Sequence, residues 1–373
     1  MTNINQYGWK ALIGSAVGYA MDGFDLLILG FMLSAISADL NLTPAQSGSL
    51  VTWTLVGAVV GGIVFGALSD RYGRVRVLTW TIVLFAVFTG LCAIAQGYWD
   101  LLIYRTIAGI GLGGEFGIGM ALAIEAWPAK HRAKAASYVA LGWQVGVLAA
   151  ALLTPVLLPH IGWRGMFVVG IFPAFVAWYL RTRLHEPEIF SRKQTALSTQ
   201  KTSKLESFKL LIKDKATTKV SLGVVVLTSV QNFGYYGIMI WMPNFLSKQL
   251  GFSLTKSGLW TAVTVCGMMA GIWIFGRLAD KIGRKPSFLL FQLGAVISII
   301  TYSQLTDPTA MLVAGAFLGM FVNGMMGGYG ALMAEAYPTQ ARATAQNVLF
   351  NLGRAVGGFG PVAVGAVVSA YSF

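Results

Sequence analysis

The sequence is short of charge, and shorter of acid than of base. Only 11% of its 373 residues are charged, with 14 Asp and Glu against 27 Lys and Arg. A soluble chain carries about 25% charged residues, so an ordinary water-facing surface is excluded. There are two cysteines, Cys92 and Cys266, both in apolar segments, and three histidines. That excludes a disulfide framework and leaves no Cys/His spacing that would suggest a metal. No Ser/His or paired-Asp constellation stands out, so neither an enzyme nor a cofactor is expected. Long hydrophilic runs are missing too, apart from 183–218. What fills the chain instead is apolar: 56% hydrophobic residues, a mean hydropathy of +0.68, and recurring runs of about 20 residues, each able to cross a bilayer core. The first of these, near Ala11, is too long for a signal-peptide core and has no A-x-A site, so it reads as a retained span. The pattern predicts an all-α, polytopic membrane protein whose surroundings are the lipid bilayer. Its 45 glycines and 11 tryptophans suit close helix contact and interfacial anchoring.

Eleven spans are predicted, near residues 11–38, 46–68, 76–96, 101–124, 135–158, 164–182, 219–247, 257–277, 285–304, 309–334 and 343–371. Most Lys and Arg fall on one side of them: Lys10, Arg71, Arg74, Arg76, Lys130, Arg132, Lys134, the run from Arg181 to Lys219, Arg277, Lys281, Arg284, Lys285 and Arg342. Segments on the other side hold Arg164, Lys248 and Lys256. Cytoplasmic loops are the basic ones, so the N-terminus is expected inside, at a plasma membrane (a bacterial inner membrane). The excess of base is thus a topology signal, and a nucleic-acid partner is not implied.

The chain contains itself twice. "GALSDRYGR" (66–74) returns as "GRLADKIGR" (276–284), and "EAWPAKHRAKA" (125–135) returns as "EAYPTQARATA" (335–345), each 210 residues on. Ser47-Gly48 and Ser257-Gly258 keep the same register. Two six-span halves are expected, 1–182 and 219–373, joined by a cytoplasmic linker at 183–218. The second copy of span six would begin near residue 374, after Phe373, so the duplication implies twelve spans and this chain holds eleven.

Five ionisable residues lie inside the spans. "YAMDGFDLLILGF" (19–31) buries Asp22 and Asp25 on nearly one helix face, where each costs roughly 2.5–3.5 kcal/mol at the bilayer centre. Arg105 starts span four, Glu115 follows in it, and Arg354 sits in span eleven. At about 1.5 Å per residue, Asp22 and Arg354 both reach the midplane. Each has a structural alternative. The aspartates could be hydrogen-bonded packing acids, Arg105 a fixed partner of Asp25, Glu115 a helix anchor and Arg354 a packing arginine.

The repeated loops resemble the G-x-x-x-D-R-x-G-R motif of the major facilitator superfamily, and "RTIAGIGLGGEFG" (105–117) resembles its R-x-x-x-G motif. "DGFD", "GGEFG", "EAWPAKHRAKA" and "WRGMFVVGIFP" (163–173) together are similar to its sialic acid and monocarboxylate:proton symporters, with the aromatic acid:proton symporters next. The resemblance implies the major facilitator fold, two pseudo-symmetric six-helix bundles about a cavity lined by spans 1, 4, 7 and 10. It also implies gate pairs at the inner helix ends: Asp70, Arg71 and Arg74 with Asp280 and Arg284, joined by Glu125, Arg132, Glu335 and Arg342. Three buried acids and two arginines leave one net negative charge, so a proton and an anion would favour each other's binding. Asp22, Asp25, Glu115 and Arg105 are therefore the proton-coupling candidates. Position 232 holds Asn where Asp22 would recur, and Gln144 is the mate of Arg354. This division assigns the substrate carboxylate to Arg354, with Gln144, Gln231, Asn232, Tyr235 and Tyr236 as uncharged contacts. The expected activity is proton symport of a small organic anion by a monomer, and a drug or metabolite:proton antiporter is the rival. That rival carries G-P-x-x-G-G in span five; here the span reads "LGWQVGVLAAALLTPV" (141–156).

Overall fold

The computed structural model describes residues 6–182, 184, 206–251 and 254–359, and every regular element among them is helical. The first repeat runs α1 (Gln6–Leu40), α2 (Pro44–Tyr72) and α3 (Arg74–Cys92), then a span in two pieces, α4 (Tyr98–Gly113) and α5 (Glu115–Glu125). Spans five and six follow as one long element, α6 (Arg132–Thr182), turned at Gly162 by a backbone at φ 66°, ψ 176°. The second repeat has α7 (Lys215–Leu250), α8 (Leu254–Ile282), α9 (Arg284–Ser303), a second split span α10 (Pro308–Gly324) and α11 (Met326–Ala336), and α12 (Arg342–Gly357). Eight helical segments among the described residues are long and apolar enough to cross a membrane. Residues 183 and 185–205 of the expected linker, and the end of span eleven from 360 onward, lie outside the described residues.

Local sequence explains the ends. Thr43 and Gln46 cap α2 reciprocally with Pro44 in its first turn, and Asp307 accepts from the Ala310 N–H at the start of α10. These contacts satisfy amides that a helix start leaves open. The α2–α3 and α8–α9 corners turn on Gly73 (φ 108°) and Gly283 (φ 94°), a backbone region that side chains disfavour.

Small residues let the helices touch. A methyl group on Gly57 or Gly61 of α2 would overlap the carbonyls of Thr106 and Ile110 on α4. Their mates Gly267 and Gly271 stand in the same way against Ala316 and Met320 on α10. Such packing suits lipid, where apolar burial alone does not drive association. Between the repeats, α12 lies on α2 and α5, while α6 lies on α8 and α11. One core runs across the join, with Tyr19, Phe116 and Trp143 meeting Tyr329 and Phe350.

Candidate functional site

A small cavity lies where the repeats meet. The second repeat lines it with Gln231, Asn232, Tyr235 and Tyr236 from α7, Asn323 and Met326 at the break between α10 and α11, and Phe350 and Arg354 from α12. Facing these are Tyr19 from α1 and Ala140, Trp143 and Gln144 from α6. All six of the expected substrate contacts come together here. Arg354 is the one charged residue among the lining groups, and its Nε donates to the Tyr236 hydroxyl at 2.9 Å. Its Nη2 is buried without a hydrogen-bond partner, as are the side-chain oxygens of Gln144 and Gln231. The Gln231 amide donates to Asn323 Oδ1 at 2.7 Å. Much of the wall is aromatic. Trp143 lies 5.3 Å from Tyr19, holds the Arg354 guanidinium 5.0 Å from its ring, and donates its indole N–H to the Tyr235 hydroxyl at 3.2 Å. Tyr19, Trp143, Asn323 and Phe350 were not anticipated. Asn323 carried a signal, since it directly precedes a break that recurs in both repeats.

The five intramembrane charges fall into three places rather than one set. Arg105 forks onto both oxygens of Asp25, at 2.9 and 2.7 Å, with both side chains fully buried. Thr54 accepts from its Nε and the Phe167 ring lies 5.7 Å away. Asp22, one turn away on α1, is also buried and takes no part in that fork. Glu115 opens α5 away from the cavity and accepts from the Thr81 hydroxyl of α3 at 2.7 Å.

The repeated loops meet at one end of the molecule. Asp70 accepts the Ala343 and Thr344 N–H groups (3.3 and 2.8 Å) and the Thr344 hydroxyl (2.6 Å) at the start of α12. Its mate Asp280 accepts the Ala133 and Lys134 N–H groups (3.3 and 3.0 Å) at the start of the long helix α6. Each carboxylate thus caps a helix of the opposite repeat, where the dipole favours an anion. Arg74 binds Asp70, Glu125 and the Thr339 carbonyl. Arg284 binds Asp280 and Glu335. Arg342 reaches across to Glu125 at 3.0 Å. The mate pair, Arg132 and Glu335, is not joined in this way: Arg132 Nε is buried without a hydrogen-bond partner. Arg71 is exposed, with its guanidinium 5.3 Å from the Tyr72 ring. At the opposite end Asp39 accepts from Arg164 and Trp163, which hold its carboxyl below the ordinary value.

Residues 15–361 match the family model described as Major Facilitator Superfamily. The chain belongs to that superfamily. It is a multi-pass membrane transporter and not an enzyme. A putative metabolite transport protein of Haemophilus influenzae is 89% identical over the whole chain and 92% of that protein. The cis,cis-muconate transport protein of Acinetobacter baylyi is 31% identical over 99% of this chain and 90% of its own. The sialic acid transporter NanX of Escherichia coli is 29% identical over 97% of this chain and 87% of its own. Among solved structures, the proton:xylose symporter XylE bound to 6-bromo-6-deoxy-D-glucose superposes with TM-score 0.77 at 20% identity, covering 98% of this chain and 89% of that one. At that identity the likeness speaks to the fold alone.

Proposed function

We propose that this transporter is a proton symporter that imports a small organic anion bearing one carboxylate. The single observation that carries this reading is the buried, unpartnered Nη2 of Arg354, a residue that lines the cavity. A guanidinium presents two parallel donors to a carboxylate, and among the described residues no second cation lines the cavity to receive another anionic group. Trp143 and the tyrosines make much of the wall aromatic, which favours a flat body, and the Gln144 and Gln231 amides add polar contacts. Relatives named for muconate and sialic acid support an acid as cargo.

Coupling rests on competition for Arg354. With the cavity empty, the guanidinium stabilises ionised Asp22. A substrate carboxylate takes that guanidinium, and Asp22 then gains by accepting a proton. Proton and anion thereby favour each other, reciprocally. Asp22 is the leading carrier, Asp25 and Glu115 tune it, and Arg105 restrains the carboxylates. Halves 1–182 and 219–373 rock about the cavity, and the Asp70, Arg74, Glu125, Asp280, Arg284, Glu335 and Arg342 network closes the cytoplasmic side, with Arg132 beside it. The transporter acts as a monomer in the inner membrane with its N-terminus in the cytoplasm.

The test is uptake of labelled benzoate into proteoliposomes, with and without an imposed pH gradient. Accumulation only when the outside is acidic is expected. Efflux of the acid driven by inward proton flow would establish the antiporter instead.

A further inference from the structure

Beneath the charged caps lies a second contact that also repeats at 210 residues. Asn347 of α12 sits against Gly66 of α2 and Gly117 of α5. Its mate Ser137, on α6, sits against Gly276 of α8 and Gly327 of α11. A methyl group on Gly117 would overlap Asn347, and one on Gly276 or Gly327 would overlap the Ser137 hydroxyl. Each polar side chain thus fills a cradle made by two glycines of the opposite repeat. The hydrogen bonds run in opposite senses. Gly117 N–H donates to Asn347 Oδ1 at 3.1 Å, whereas the Ser137 hydroxyl donates to the Gly327 carbonyl at 3.3 Å.

Position along the helices gives this contact its meaning. On α6 the order is Ala133 and Lys134 under the Asp280 cap, then Ser137, then Ala140 at the cavity. On α12 it is Ala343 and Thr344 under Asp70, then Asn347, then Phe350 and Arg354 at the cavity. One turn, about 5 Å, separates each step. Phe116 stacks on Phe350 with ring centroids 3.9 Å apart at the same level. The glycine cradles are therefore the floor of the cavity, one layer inside the charges.

We propose that Asn347 and Ser137 are gating residues, forming an uncharged latch that seals the cavity on the side carrying Asp70 and Asp280. The charged layer orients the halves at long range. The latch works only at contact, because the cradles admit a side chain only when the opposing backbones have closed on it. Gly117 also lies in the first turn of a half-helix, whose amides lack partners within that helix. Withdrawal of Asn347 leaves that N–H open to the cavity, so opening costs a hydrogen bond that docking restores.

The experiment uses the full chain in membrane vesicles with Cys266→Ser and a reporter, Ala140→Cys, at the cavity. Labelling by a membrane-impermeant maleimide is measured from the face that carries Asp70 and Asp280. Gly276→Ala places a methyl where Ser137 must sit and is expected to raise labelling by about tenfold, the scale of one methyl in a full interface. Adding Ser137→Gly removes the closest overlap but leaves the Ala133 carbonyl 2.9 Å from the methyl, so it is expected to return labelling part of the way. Asn347→Ala alone is expected to raise labelling more weakly. If Gly276→Ala labels like the parent, or if Ser137→Gly reverses none of its effect, the latch is overturned. A Gly276→Ala chain that fails to insert and is not restored by Ser137→Gly assigns the glycine to packing alone, and also overturns it.

Discussion

At the scale of single residues, two buried arginines of the same chemistry do opposite things. Arg105 has spent its fork on Asp25, both side chains fully buried. Removing one partner of such a pair leaves an uncompensated charge and costs about 3–5 kcal/mol. Asp25→Asn is therefore expected to lower the melting temperature sharply, and Asp25→Leu with Arg105→Met to recover most of it. Equal melting temperatures for the parent and Asp25→Asn would show that the pair carries no such load. Arg354 still has donors to give. Arg354→Gln is expected to weaken apparent substrate affinity by roughly 10- to 100-fold, the worth of a charged hydrogen bond. Arg354→Lys keeps the charge without the fork and should fall between. Unchanged affinity in Arg354→Gln, read from uptake kinetics, would remove the carboxylate from this residue. The same cavity should prefer benzoate to cyclohexanecarboxylate, which is of similar size but not flat; equal competition by the two would leave the carboxylate assignment standing and discard the flat body.

Elements show why the sequence was legible at some scales and not others. The spans could be read because apolar runs set them, and their ends because Gly73, Gly283, Thr43 and Asp307 mark turns and caps. The repeat made the Asp70 and Asp280 caps legible as a pair. Depth along a helix was readable too, since it needs only residue counts. Rotation about the helix axis was not. Asp22 and Asp25 are one turn apart, yet it is Asp25 that takes both donors of the Arg105 fork, a choice made by packing partners on other helices. Glu115 turned away from the cavity for the same reason, towards Thr81 on α3. A connection between elements also gives a pH test. Asp39 at the end of α1 accepts from Trp163 and Arg164 in α6, and this lowers its pKa when folded. Its contribution is therefore present above the unfolded value of about 3.9 and is lost as pH falls through the lower folded value. Asp39→Asn should melt below the parent at pH 7, and the gap should close as the solution is acidified below about pH 4. A gap that persists there would show that the bond does not depend on the charge.

For the whole molecule, the duplication supplies the shared framework and its imperfections set the two halves apart. Caps, cradles and split spans recur in both repeats, so either half can close on the other in the same way. The intramembrane charges do not recur: Asp22 faces Asn232 in repeat register, and Arg354 faces Gln144. One half therefore holds an intramembrane acid and the other an intramembrane cation, and the proposed coupling sets the substrate between them. Asp22→Asn copies the shape of the protonated acid, so it should bind substrate. Exchange of labelled for unlabelled substrate needs only the loaded carrier to cross, with no net proton release, so counterflow should survive. Net accumulation needs the empty carrier to return after discharging its proton, a step that Asn cannot take. Asp22→Asn should therefore lose pH-driven accumulation while keeping counterflow in the same vesicles. Loss of both would point to a damaged site. Intact pH-driven accumulation would move the proton to Asp25 or Glu115, and with it the link between coupling and Arg354.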